Sequence, residues 1–157
     1  KARRSGETAV IDPHNKTDMV GLDMSTTGIR CLSLGVFNFG FITELRLANN
    51  LLKVIPPGIS HMSSLVHLDL SNNQIEELPR EIGWLSDLKD LFLYNNQLRD
   101  LPAEMGYLFQ MENLGLDGNP ISNEAILSVL HSQGPIGVIP FLRDHIICTD
   151  EFIYHMR

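Results

Sequence analysis

Leucine and its aliphatic relatives recur along this chain at fixed offsets on a 23-residue period. Residues 68–79 read LDLSNNQIEELP, and residues 91–102 read LFLYNNQLRDLP. Extended in both directions, the period places Leu22, Leu45, Leu68, Leu91 and Leu114 at one offset, and Met24, Leu47, Leu70, Leu93 and Leu116 two residues later. Ile29, Leu52, Ile75, Leu98 and Ile121 close the pattern five residues further on. Five units, starting at Met19, Ile42, Leu65, Leu88 and Met111, follow one another without insertion or deletion. The alternation within each LxLxx segment predicts a short strand, because successive side chains of a strand point to opposite faces.

Short strands on such a period describe a solenoid, in which each unit buries its apolar face against its neighbours. The expected fold is an α/β leucine-rich repeat solenoid. A parallel sheet lines the concave face, short helices line the convex face, and a helical cap closes the C-terminal end. Unit positions four and six point into the coil. Position nine is Thr27, Asn50, Asn73, Asn96 and Asn119. A side-chain amide there can both donate to and accept from backbone groups of adjacent coils. Thr27 can do less of this, which suits a terminal unit. Pro56, Pro79 and Pro102 follow the aliphatic residue at position fourteen and favour the start of a helical turn. The segments GISHM, EIGWL and EMGYL are the predicted convex helices, closing the core with Ile59, Met62, Ile82, Leu85, Met105 and Leu108. Trp84 and Tyr107 share position twenty and read as convex packing residues.

An open solenoid exposes its core at both ends and needs caps. The chain divides into a mostly irregular leader (1–18), five repeats (19–121), a helical cap (122–145) and a tail (146–157). Ser122 or Asn123 can cap a helix running to about Gln133, with Gly134-Pro135 as its stop signal. The stretch IGVIPFLRDH is expected to pack beside that helix, with Pro140 limiting its regularity.

The residues between the leucines carry the information a partner can read. Position three gives Gly21, Glu44, His67, Asp90 and Asn113. Position five gives Asp23, Arg46, Asp69, Phe92 and Gly115, and position seven gives Ser25, Ala48, Ser71, Tyr94 and Asp117. A strand face exposed to water has little reason to hold Phe. Phe92 and Tyr94, projecting side by side, are therefore candidate anchors of a protein interface, with Arg46, Asp69 and Asp90 as a polar rim. The competing reading has the two rings filling a groove, shielded by His67 and Lys89. His67 belongs to the same candidate face as a surface residue, since no nucleophile stands near it in the pattern.

Composition narrows the function. The 157 residues suit one domain, and 43% apolar with 7% aromatic residues suit an aliphatic core. A formal net charge of −7 argues against a general nucleic-acid surface, which needs clustered Lys and Arg. No apolar run reaches the roughly 18–20 residues of a membrane span. The basic start KARRSGETAV has no apolar core after it and is not a secretory signal. Without one, the Asn15-Lys16-Thr17 sequon reads as chance. The two cysteines, Cys31 and Cys148, read as reduced thiols of a cytosolic or nuclear protein. Cys31 is expected to fill a small apolar position. His145, Cys148 and His155 lack any recognised metal spacing. There is no phosphate-binding glycine loop and no nucleophile elbow, so no catalytic, cofactor or metal site is expected in this chain. The expected function is protein binding.

Three stretches carry a more specific resemblance: NFGFITELRLANNLLKVIPPGISHMSSLVHLDLSNNQIEELPREIG (38–83), AEMGYLFQMENLGLDGNPIS (103–122) and GVIPFLRDH (137–145). Together they resemble the leucine-rich repeat domain of the fungal carbon catabolite repressor type deadenylase, over about residues 20–145. That family is a magnesium-dependent poly(A)-specific exoribonuclease of the endonuclease/exonuclease/phosphatase fold, within the carbon catabolite repressor–Not complex. The resemblance implies that the repeats are a docking arm for a second, DEDD-type deadenylase, and through it for the Not scaffold, in cytoplasm or nucleus. The nuclease domain that follows the repeats in that family, with its magnesium, has no counterpart in these residues. None of the family's catalytic carboxylates or its catalytic His can be placed here. The tail after His145 departs from the polar linker expected before such a domain. The rival reading is an intracellular signalling scaffold that resembles the Ras-binding repeat proteins and binds a small GTPase or a phosphatase.

Overall fold

A computed structural model describes residues 20–148. The leader 1–18, Met19 at the predicted start of the first repeat, and tail residues 149–157 lie outside them. Five three-residue strands, β1 (Gly21–Asp23), β2 (Glu44–Arg46), β3 (His67–Asp69), β4 (Asp90–Phe92) and β5 (Asn113–Gly115), form one parallel sheet in chain order. Their register follows the 23-residue period: Leu22, Leu45, Leu68, Leu91 and Leu114 stand directly opposite one another. Leu45, Leu68 and Leu91, with Leu47 and Leu93, are fully buried. In the first coil Leu22, Met24 and Ile29 are only half-buried, since a described coil covers them on one side alone.

Position nine forms a backbone-satisfying ladder. Asn73 donates to Leu47 O of the preceding coil and to Leu70 O of its own, each at 3.0 Å, and its Oδ1 accepts from Leu52 N at 3.0 Å. Asn50 and Asn96 repeat the arrangement. Asn119 does so at the last coil. Thr27 manages one such donation, to Met24 O at 2.7 Å. The residue before it has a separate role. Thr26, Asn49, Asn72, Asn95 and Gly118 all sit at positive φ, between 53° and 79°. The Asn-Asn pair therefore combines a residue that tolerates the left-handed turn with one whose amide fills the space the turn opens.

The convex segments are five-residue 3-10 turns, Leu34–Asn38, Pro57–His61, Arg80–Trp84 and Ala103–Tyr107. The last three begin one residue earlier than the pattern suggested. Pro56, Pro79 and Pro102 act just outside them: each is extended, and its carbonyl accepts the first turn bond. The aliphatic residues expected to close the core, Ile59, Met62, Ile82, Leu85, Met105 and Leu108, are all buried. Trp84 corrects its assignment as a packing residue, being 53% exposed. Cys31 likewise lies exposed rather than filling an apolar site.

The cap begins with Asn123, whose Oδ1 accepts from Ala125 N and Ile126 N at the start of α1 (Glu124–Gln133). Gly134 ends that helix at φ 74°, and a short turn at Pro135–Gly137 leads into α2 (Val138–Cys148). Pro140 does not disturb α2. It occupies the first turn, where a backbone N–H has no helical acceptor to lose. The helix also runs three residues past the cap boundary placed at 145. It packs against Ala103–Tyr107 as each convex turn packs against the one before. A Cβ on Gly106 would fall 2.5 Å from Arg143 N, so glycine is what permits this approach. Val138, Ile139 and Leu142 are buried beneath it.

Candidate functional site

The sheet register turns two of the three sequence offsets into rows on the concave face. One row runs Glu44, His67, Asp90, Asn113 and the next Arg46, Asp69, Phe92, Gly115, each residue beside its counterpart on the neighbouring strand. The predicted site residues Arg46, His67, Asp69, Asp90, Phe92 and Tyr94 are thus brought onto one surface. Arg46, Asp69 and Phe92 are register partners, as are His67 and Asp90. Glu44, Arg46, His67, Asp69 and Phe92 line a shallow depression.

The polar rim pairs differently from the row order. Arg46 turns back along its own strand, and its Nε donates to Glu44 Oε1 at 2.7 Å. His67 Nδ1 lies against Asp90 Oδ2, and Asp90 Oδ1 accepts from Asn113 Nδ2 at 2.6 Å. Asp69 Oδ1 accepts from Ser71 N at 2.9 Å, and among the described residues no cation pairs with this carboxylate. Asp23 repeats that turn with Ser25 N, a bond that holds its carboxyl below the usual range. Glu44 and Asn113 are partners that the offsets alone did not single out. Their role follows from side-chain direction, which the repeat pattern does not encode.

Phe92 and Tyr94 stack with ring centroids 5.9 Å apart and planes 16° from parallel. Phe92 is half-buried, whereas Tyr94 is 37% exposed. The Tyr94 ring lies over Gly115, where any Cβ would collide with it. Glycine at this position lets the phenol lie flat across the sheet. His67 is engaged with Asp90, and Lys89 donates to Glu112 at 2.7 Å, an interaction that raises the lysine's pKa. Ala48 and Ser71, expected to face the open concave surface, are buried.

The arrangement suits binding. Among the described residues no group of three or more His, Cys, Asp or Glu side chains could hold a metal ion. No described helix is long and apolar enough to cross a membrane.

Comparison with known proteins agrees with the repeat architecture. The family described as Leucine Rich repeats (2 copies) matches residues 42–81 and 63–104. A 56-residue stretch, 36% of this chain, is 43% identical to the CCR4-Not complex 3'-5'-exoribonuclease subunit Ccr4 of Coccidioides immitis (strain RS). It spans 7% of that relative's length. Among solved structures, a leucine-rich repeat protein of Leptospira interrogans superposes with a TM-score of 0.59 at 34% identity, over 64% of this chain and 26% of that one. The BIR3–SERK2 complex of Arabidopsis thaliana gives 0.54 at 30% identity, over 59% and 51%. The chain is a leucine-rich repeat solenoid with partial similarity to the Ccr4 deadenylase subunit.

Proposed function

We propose that this leucine-rich repeat solenoid is the docking arm of a Ccr4-type deadenylase, binding a DEDD-type deadenylase through its concave face. Through that partner it would join the Not scaffold, in cytoplasm or nucleus. The observation that carries the reading is the 43% identity over 56 residues to the Ccr4 subunit. The surface supports it in kind, because a rigid sheet presents a stacked aromatic pair within a polar rim. On this reading the repeats supply position and affinity. Catalysis and magnesium belong to a nuclease domain elsewhere in the parent protein.

Calorimetry of residues 1–157 against the DEDD-type deadenylase tests this. Tight binding is expected, and Phe92→Ala with Tyr94→Ala should weaken it by about 2–4 kcal/mol. Binding that survives the double substitution would move the interface to another face. No binding by a folded chain would overturn the docking-arm reading and favour a signalling scaffold.

A further inference from the structure

The concave face is electrostatically one-sided. The positions between its leucines carry Asp23, Glu44, Asp69, Asp90 and Asp117 against one arginine, Arg46, and one histidine. Internal pairing uses up part of this charge. Arg46 is held by Glu44, and Asp90 is shared between His67 and Asn113. Asp23 and Asp69 each satisfy one oxygen on a backbone N–H two residues ahead, and neither forms a salt bridge among the described residues. Asp69 stands beside Phe92 in the strand register and shares its depression. Asp117 follows β5, one coil beyond Tyr94.

From this charge balance we infer that the concave face takes a partner segment bearing a guanidinium or ammonium group next to an apolar side chain. The cation seats against the Asp69 carboxylate and over a ring face of the Phe92–Tyr94 stack, and the apolar side chain packs beside it against the same rings. A cation gains both from the carboxylate and from an aromatic face. An acidic partner would meet repulsion from every unpaired group in the rows. The inference rests on the concave face being the binding surface, and it adds the partner's chemistry.

The test uses residues 1–157 and two end-blocked hexapeptides, basic GLRLKG and acidic GLELDG, followed by amide chemical shifts in two-dimensional NMR. The basic peptide should shift amides of β3, β4 and the turns after them, and the acidic peptide should not. Asp69→Asn keeps the oxygen that accepts from Ser71 N, so the fold survives while the charge is lost. It should weaken the basic peptide about fivefold, the size of one partly exposed ion pair. Three results overturn the inference: equal binding of both peptides, shifts confined to the convex face, or no shift at millimolar peptide. Basic-peptide binding without deadenylase binding would leave this inference standing and sink the proposed partner. Tight deadenylase binding by a chain that ignores the basic peptide would do the opposite.

Discussion

Asn73→Ala isolates the ladder between coils. The side chain is 6% exposed and makes four hydrogen bonds, donating to Leu47 O, Leu70 O and Ser71 O and accepting from Leu52 N. The partners do not lose equally. Leu47 O still accepts from Asn50, Leu70 O from Asn96, and Ser71 O from Asn49 N. Leu52 N is buried and has no second acceptor among the described residues. The substitution therefore orphans one buried N–H outright, at about 1–3 kcal/mol, and leaves three buried carbonyls with one donor each instead of two. A total near 3 kcal/mol follows, and with a urea slope of roughly 2 kcal/mol/M the midpoint should fall by about 1.5 M. Urea unfolding followed by circular dichroism measures it. Asn95→Gly is the matched control, because glycine also accepts the left-handed φ of 53° at that position. Its side chain is exposed and makes one cross-coil bond, to Asn72 at 2.8 Å, so its midpoint should move much less. If the two variants unfold alike, the buried amide is not what ties the coils together. A lower slope in Asn73→Ala alone would mean that the array has split into parts that unfold separately.

Other expected outcomes are smaller or more local. Gly83→Val would drive a side chain into the Glu104 backbone of the next convex turn, costing about 1–3 kcal/mol through overpacking, with a matching fall in thermal midpoint. Asn123→Ala removes the cap of α1 and should cost about 1 kcal/mol, with early exchange of the Ala125 and Ile126 amides. Glu112→Gln removes the carboxylate that raises the Lys89 pKa, so the lysine should titrate at lower pH in an NMR titration, while stability stays nearly level because both side chains are solvated.

Legibility in the sequence followed the period. The five-strand parallel sheet, the buried ladder leucines and the Gly134 end of the first cap helix all follow from residue spacing and local backbone preference, while the choice of Asn123 over Ser122 as its cap came from the structure. Each such residue answers to its own coil or to the identical coil beside it, so a linear pattern encodes the contact. Phe92 and Tyr94 were visible for the same reason: an aromatic residue at an outward offset breaks the expected polarity.

Tertiary structure decided what depends on side-chain direction and on contacts outside the period. Arg46 could have reached across to Asp69 or back to Glu44, and only packing selects Glu44. Gly115 is a silent letter until the Tyr94 ring is seen lying over it. Pro140 reads as a breaker in isolation, yet it is harmless in the first turn of α2, and that helix takes its place from the close approach of Arg143 to Gly106. A repeat writes its backbone path into the spacing of its leucines. The direction of a charged or aromatic side chain is set by a few competing contacts of similar energy, and those exist only once the coils have stacked.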